Sequence, residues 1–104
     1  MKYVYMVKFD WSTTDLEDIE IYIYENYDSA YSKFKELAQN EYKPENSWIG
    51  ELEFDEDGYP LDENYELDYE DNNSGESEVY WHFVDRNDYY RHSFIDLIKK
   101  EVLQ

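Results

Sequence analysis

The chain is expected to fold as an α+β domain: an antiparallel sheet of about five strands with two helices packed on one face, in the order ββαβββα. Three observations predict this. Apolar and polar residues alternate with period two over several runs of strand length. Two other segments space their apolar residues three and four apart, as one face of a helix does. The connections are short and carry Asn, Asp, Gly or Pro, which favours antiparallel neighbours. A length of 104 residues suits a single domain over 1–104 with a modest core, and no repeat or linker divides it. A mean hydropathy of −1.00 would by itself suggest disorder. The thirteen Tyr, five Phe and three Trp outweigh it, because each ring carries a large apolar area.

Residues 2 to 11 read as a strand with Tyr3, Tyr5, Val7, Phe9 and Trp11 on one side and Val4 and Met6 on the other. Two apolar faces imply a place inside a sheet. Residues 17 to 24 form the second strand, Ile19, Ile21 and Ile23 facing one way and Glu20, Tyr22 and Tyr24 the other. The short gap between the two predicts a hairpin. Asp28 is read as a helix N-cap, followed by Ala30, Phe34, Leu37 and Ala38 at helical spacing. That helix should fade near Asn40, ahead of Lys43-Pro44. Residues 47 to 54 are expected as a third strand, 64 to 71 as a fourth and 78 to 85 as a fifth, with a turn at Asn72-Asn73-Ser74-Gly75. Asn87 or Asp88 would cap a last helix with Tyr90, Phe94, Leu97, Ile98 and Val102 as its buried stripe and Lys99 and Lys100 near its end.

Charge is the most unusual property of the sequence. Twenty-seven Asp and Glu against nine Lys and Arg leave a net charge of −18. Residues 51 to 78 hold thirteen of the acids and no Lys, Arg or His, so the rest of the chain carries −18 + 13 = −5. Glu51, Glu53, Asp55 and Asp57 alternate with Leu52, Phe54 and Glu56; Glu66, Asp68 and Glu70 alternate with Tyr65, Leu67 and Tyr69. Asp57-Gly58 and Tyr59-Pro60 supply turn chemistry between them. The expectation is an acidic hairpin at 51–71 with an anionic outer face. Such a face opposes folding, since each like-charged pair at roughly 5 Å repels by just under about 1 kcal/mol in water. It serves either solubility alone or a strongly basic partner.

Little in the sequence suggests catalysis, and no catalytic residue is assigned. The two histidines have bland readings, His82 as a packing or surface residue in an aromatic strand and His92 as a solvated residue on the last helix. Gly50, Gly58 and Gly75 are isolated, so no phosphate loop exists. Cysteine is absent, which removes disulfides and thiolate ligands. The segment Glu53–Gly58 partly matches a calcium loop. Its first position is Glu, its twelfth is Asn64, and its flanks read as strands, so no metal or other cofactor is expected beyond weak divalent binding. The start of the chain lacks the apolar stretch of a signal peptide, and no segment approaches the roughly 20 apolar residues of a membrane span. An intracellular, soluble protein is expected. Its charge repels nucleic acid and anionic lipid, so neither is an expected direct partner.

Carboxylates accept bidentate bonds from arginine much as phosphates do. One face of a strand presents side chains roughly every 6.6 Å, and two strands make two rows, against one phosphate per roughly 3.4 Å along a DNA strand. In size, charge and the hairpin at 51–71 the chain resembles small acidic inhibitors that imitate DNA, of the anti-CRISPR and anti-restriction kind. It also resembles bacterial immunity proteins that neutralise basic nuclease toxins. The first resemblance implies a phage-type inhibitor, working in the cytoplasm of a bacterial host cell, that occludes the nucleic-acid cleft of a CRISPR effector or related nuclease. The second implies a single toxin partner. A third class is a non-catalytic adaptor or weak calcium-binding module. For the mimic, the expected partner-binding residues are Glu51, Glu53, Asp55, Asp57, Glu66, Asp68, Glu70 and Asp71, with Tyr59, Tyr65 and Tyr69 at the rim.

Overall fold

Strand β1 (Lys2–Ser12) turns into β2 (Glu17–Tyr24), and a helix, α1 (Tyr27–Glu41), follows. A 3-10 turn (Trp48–Glu51) leads to β3 (Tyr65–Glu70), β4 (Val79–Asp85) and β5 (Asp88–Val102). The computed structural model describes residues 2–13, 15–71 and 79–103; the turn expected at Asn72–Gly75 lies outside them. The strands form one antiparallel sheet in the order β2-β1-β5-β4-β3. The α+β class and the five-stranded antiparallel sheet match expectation. The segment expected as the second helix is a strand, and a 3-10 turn takes the place of the third expected strand.

The segment expected as the last helix is the central strand β5. It pairs with β1 from Lys2↔Val102 to Ser12↔His92 and with β4 from Val79↔Leu97 to Asp85↔Asp88. A strand apolar on both faces places residues such as Phe94, Ile95, Leu97 and Ile98 one, three and four apart, which is also helical spacing, so periodicity alone cannot separate the two. Pairing decides it. β1 needs a second neighbour, and β5 supplies eleven partners.

The expected strand at 47–54 fails for a local reason. Ser47 Oγ accepts the Ile49 amide at 3.2 Å and starts the 3-10 turn. Gly50 then lies so close to the chain at Lys43-Pro44 that a Cβ would stand 2.4 Å from the Lys43 carbonyl carbon. The chain is folded back on the Lys43-Pro44 turn rather than extended. The cap of α1 is Asn26, whose side chain accepts the Ser29 amide at 3.1 Å; Asp28 lies inside the first turn. Asp28 still favours the positive end of the helix dipole.

Register separates the two faces of the sheet. Across the covered face run the rows Tyr69–Trp81–Ile95–Phe9–Glu20 and Leu67–Phe83–Ser93–Trp11–Asp18. Here Val7, Leu67, Val79, Trp81, Phe83, Ile95 and Leu97 form the core with Ala30, Phe34 and Leu37 of α1 and Ile49 of the 3-10 turn. Each Val, Leu, Ile or Phe among them contributes about 1.5–3 kcal/mol by leaving water. Across the other face run Asp68–His82–Phe94–Asp10–Ile19 and Glu70–Tyr80–Asp96–Lys8–Ile21. On that face Ile19, Ile21 and Ile23 remain 54–65 % exposed, so the isoleucine side of β2 points away from the core. No helix among the described residues is long and apolar enough to cross a membrane.

Candidate functional site: an anionic sheet edge

The acidic segment does not form the expected hairpin over 51–71. Its first half makes a tight loop closed by a single bridge, Phe54↔Pro60. The Asp55 amide donates to the Tyr59 carbonyl at 2.9 Å, and the Leu61 amide to the Glu53 carbonyl at 3.0 Å. Asp55 Oδ1 accepts the amides of Asp57 and Tyr59, both at 2.9 Å. Gly58 has φ +89°, a conformation that costs glycine little. The second half, β3, pairs with β4 instead. Two antiparallel rows of carboxylates from 51–57 and 66–70 are therefore absent, because β3 takes the longer apolar strand as its neighbour.

The loop nevertheless packs beside β3. Phe54 meets Tyr42 and Phe83 edge-on, with ring centroids 4.9 and 6.4 Å apart, and Tyr59 lies 5.3 Å from Tyr69. Phe83 and Tyr69 belong to the covered face, so the loop flanks the outer strand on that side. Glu66, Asp68 and Glu70 stand on the opposite face. Glu51, Glu53, Asp55, Glu56, Asp57, Asp62, Glu63, Glu66, Asp68, Glu70 and Asp71 are all exposed. Those of the loop between Phe54 and Pro60 lie on the covered side of the β3 edge, and Glu66, Asp68 and Glu70 on the other. Within this set and among the described residues, the one ion pair is Glu66–Arg86 at 3.5 Å, itself exposed. Asp71 accepts the Tyr31 hydroxyl at 2.6 Å.

The tyrosines expected at the rim divide by role. Tyr65 stacks on Phe83 at 5.8 Å and meets Trp48 at 5.9 Å, so it belongs to the aromatic packing of the covered face. Tyr69 is partly buried there, its hydroxyl reaching the Asp57 carbonyl at 3.4 Å. Tyr59, 39 % exposed, is the one open to a partner. The negative field is visible in the neighbouring phenols. Asp68, then burial and Glu70, push the Tyr80 hydroxyl up from its ordinary value. The hydrogen bond to Asp71 is the first cause that pushes Tyr31 up to about 12.

Both histidines occupy the uncovered face. His82 Nε2 is 2.8 Å from Asp96, and its ring lies between Tyr80 and Phe94 at 4.9 and 4.8 Å. His92, expected on a helix, is on β5; it stacks on Phe94 at 4.5 Å and its Nε2 is 3.0 Å from Asp10. Among the described residues no three His, Cys, Asp or Glu side chains gather as a metal site.

A second polar cluster went unnoticed in the sequence. A cleft of about 420 Å³ opens where the C-terminal end of α1 meets the ends of β1 and β5. Glu41 reaches it from the last residue of α1, only 8 % exposed. Burial pushes its carboxyl up, hydrogen bonds from the Ser47 and Ser93 hydroxyls draw it part of the way back, and the charge of Glu20 adds to the rise. A signal did exist: Ala30, Phe34 and Leu37 extend at helical spacing to position 41, which is a glutamate on the buried stripe.

The chain matches no family model, and comparison with curated proteins and with solved structures finds none similar to it.

Proposed function

We propose that this protein is a non-catalytic inhibitor that presents its β3 edge to the basic cleft of a nucleic-acid-handling protein, a CRISPR effector or related defence nuclease in a bacterial cytoplasm. The observation that carries this reading is the set of eleven exposed carboxylates between Glu51 and Asp71, on β3 and the segment before it, with a single exposed ion pair to them among the described residues. Along β3, Glu66, Asp68 and Glu70 repeat at roughly the 6.6 Å of alternate strand residues. The loop carboxylates line the other side of the same edge, so a groove closing over β3 meets negative charge on both walls. A phosphate backbone offers a comparable field, and arginines that grip phosphates grip carboxylates with the same fork. The scaffold is ordered before binding, so little ordering entropy opposes association. Steering by the net charge makes capture fast and salt-sensitive.

The test is displacement of a labelled oligonucleotide from a panel of purified CRISPR effectors and phage-defence nucleases. Displacement should weaken steeply with salt and fall at least ten-fold for Asp68→Lys with Glu70→Lys, a variant that keeps Glu66–Arg86. Equal displacement by the variant would remove the β3 edge as the binding surface. Displacement from one nuclease alone, insensitive to salt, would favour a dedicated immunity protein.

A further inference from the structure

Strand β2 is an outer strand, with β1 on one side and no strand beyond it. The hairpin fixes which of its backbone groups are left over. Thr13 donates its amide to the Leu16 carbonyl at 2.7 Å, and the register runs on without a break to Tyr5↔Tyr24. Antiparallel partners alternate between hydrogen-bonded and non-hydrogen-bonded pairs. Asp18, Glu20, Tyr22 and Tyr24 therefore bond to β1, while the amides and carbonyls of Ile19, Ile21 and Ile23 point outward. The Ile19 amide bears this out, since it meets the Asp18 carboxylate at 2.9 Å instead of β1. Natural edges are commonly blunted by a lysine, a proline or a bulge. β2 has none of these, and its three isoleucines are exposed.

A strand of the same sequence fits this edge. Laid antiparallel about a two-fold axis at Ile21, β2 sets Ile21 against Ile21 of a second copy, and Ile19 against Ile23. The same register sets Glu20 against Tyr22 and Asp18 against Tyr24. Outward backbone groups then meet outward backbone groups, and isoleucines meet isoleucines on one face. Acid faces acid only at the ends, Glu17 against Glu25, and Glu25 already pairs with Lys2 at 3.5 Å. An axis at Glu20 would set that residue against itself, and an axis at Tyr22 would set Ile19 against Glu25.

Charge favours the same contact. Each chain carries −18, so copies repel wherever their acids approach. Asp10, Glu66, Asp68, Glu70 and Asp96 stand on the uncovered face, and stacking two such faces would crowd them. Glu20 is held on the covered side by Trp11 Nε1 at 3.1 Å and the Tyr22 hydroxyl at 2.5 Å. Edge pairing at β2 leaves the two β3 strands at opposite ends of one continuous sheet. At about 4.8 Å per strand they stand about 43 Å apart, several times the screening length of about 8 Å at physiological salt.

We propose that β2 is a self-association edge, at which two copies of this chain pair antiparallel about Ile21. This contact is independent of the inhibitor reading, because it uses the strand farthest from β3.

The experiment is sedimentation equilibrium of the full chain from about 5 μM to about 1 mM, at about 0.15 M salt. A reversible monomer–dimer equilibrium is expected, with a dissociation constant on the order of 0.1 mM for so small a contact. It should tighten at least three-fold at about 0.5 M salt as self-repulsion is screened, whereas capture of a basic protein by β3 weakens. Ile21→Lys sets two lysines face to face at the axis while lowering the overall repulsion between copies. It should weaken the dimer at least ten-fold, in a variant whose unchanged melting in dilute solution confirms folding. The register has its own test, because the chain contains no cysteine. Paired residues at the axis lie about 5.5 Å apart at Cα, within disulfide reach, so Ile21→Cys should cross-link under mild oxidation. Leu61→Cys, at an exposed position of the acidic segment, should not. A monomer at every concentration overturns the proposal and leaves β2 to a strand of another protein. A dimer indifferent to Ile21→Lys, or equal cross-linking of the two cysteine variants, also overturns it.

Discussion

Glu41 is an acid on the buried stripe of α1, only 8 % exposed. Its carboxyl is raised by burial, so the folded state holds that proton more tightly than the unfolded state does. Between the unfolded pKa and the raised folded one, the native protein binds more protons, and stability must fall as pH climbs through that window. The groups that share its surroundings are Glu20, His92 and the serines of the cleft. Glu41→Gln should remove this part of the pH dependence and raise the melting temperature at neutral pH. Thermal melts from pH 4 upward, compared between the two proteins, check it; parallel curves would contradict the assignment. Gly50 makes a contrasting case. Its close approach to the Lys43 backbone leaves no room for a methyl group, and Gly50→Ala should cost about 1–3 kcal/mol in denaturant unfolding.

Among the strands, β2 and β5 carry isoleucines that look equivalent until the sheet is assembled. Ile95 is fully buried under the helix layer, whereas Ile21 is 54 % exposed on the uncovered face. Ile95→Ala should therefore cost about 2–5 kcal/mol, and Ile21→Ala less than about 1 kcal/mol. Urea titrations of both variants decide the matter. Comparable losses would mean that the open face is covered in solution. The bounds of β2 and the end of α1 were legible because alternation and the Lys43-Pro44 stop are local signals. β3 was legible for the same reason, its Tyr65, Leu67 and Tyr69 alternating with acids. The 3-10 turn was hidden because Ser47 capping and the contact of Gly50 with Lys43 are details of backbone approach. β5 was hidden because a strand with two apolar faces mimics the spacing of a helix.

The whole molecule is polarised. One outer strand, β3, is surrounded by carboxylates, and the other, β2, exposes three isoleucines. An edge strand left open invites pairing with another chain, and like charges along β3 discourage it. That protection accompanies self-repulsion, which salt screens. Raising ionic strength from about 0.01 M to about 0.15 M shortens the screening length from about 30 Å to about 8 Å, so the melting temperature should rise over that range. Asp68→Lys with Glu70→Lys should flatten the rise. A melting temperature indifferent to salt would mean that the edge charges are too dispersed to act together. The same polarity underlies the proposed inhibition, because the anionic strand stands at one end of the sheet.

What the sequence determined by itself was charge, its concentration between Glu51 and Glu78, and the strands whose two faces differ in polarity. Those are properties of composition and of near neighbours along the chain. The tertiary structure decided which strand lies beside which, and with it where the charges stand. β3 chose β4, leaving the loop carboxylates on one side of the edge and Glu66, Asp68 and Glu70 on the other. It also brought Glu41, Glu20 and Ser93 to one cleft from α1, β2 and β5. Pairing partners and cavities arise between residues far apart in sequence, where the energies of alternative pairings are compared only once a core has formed.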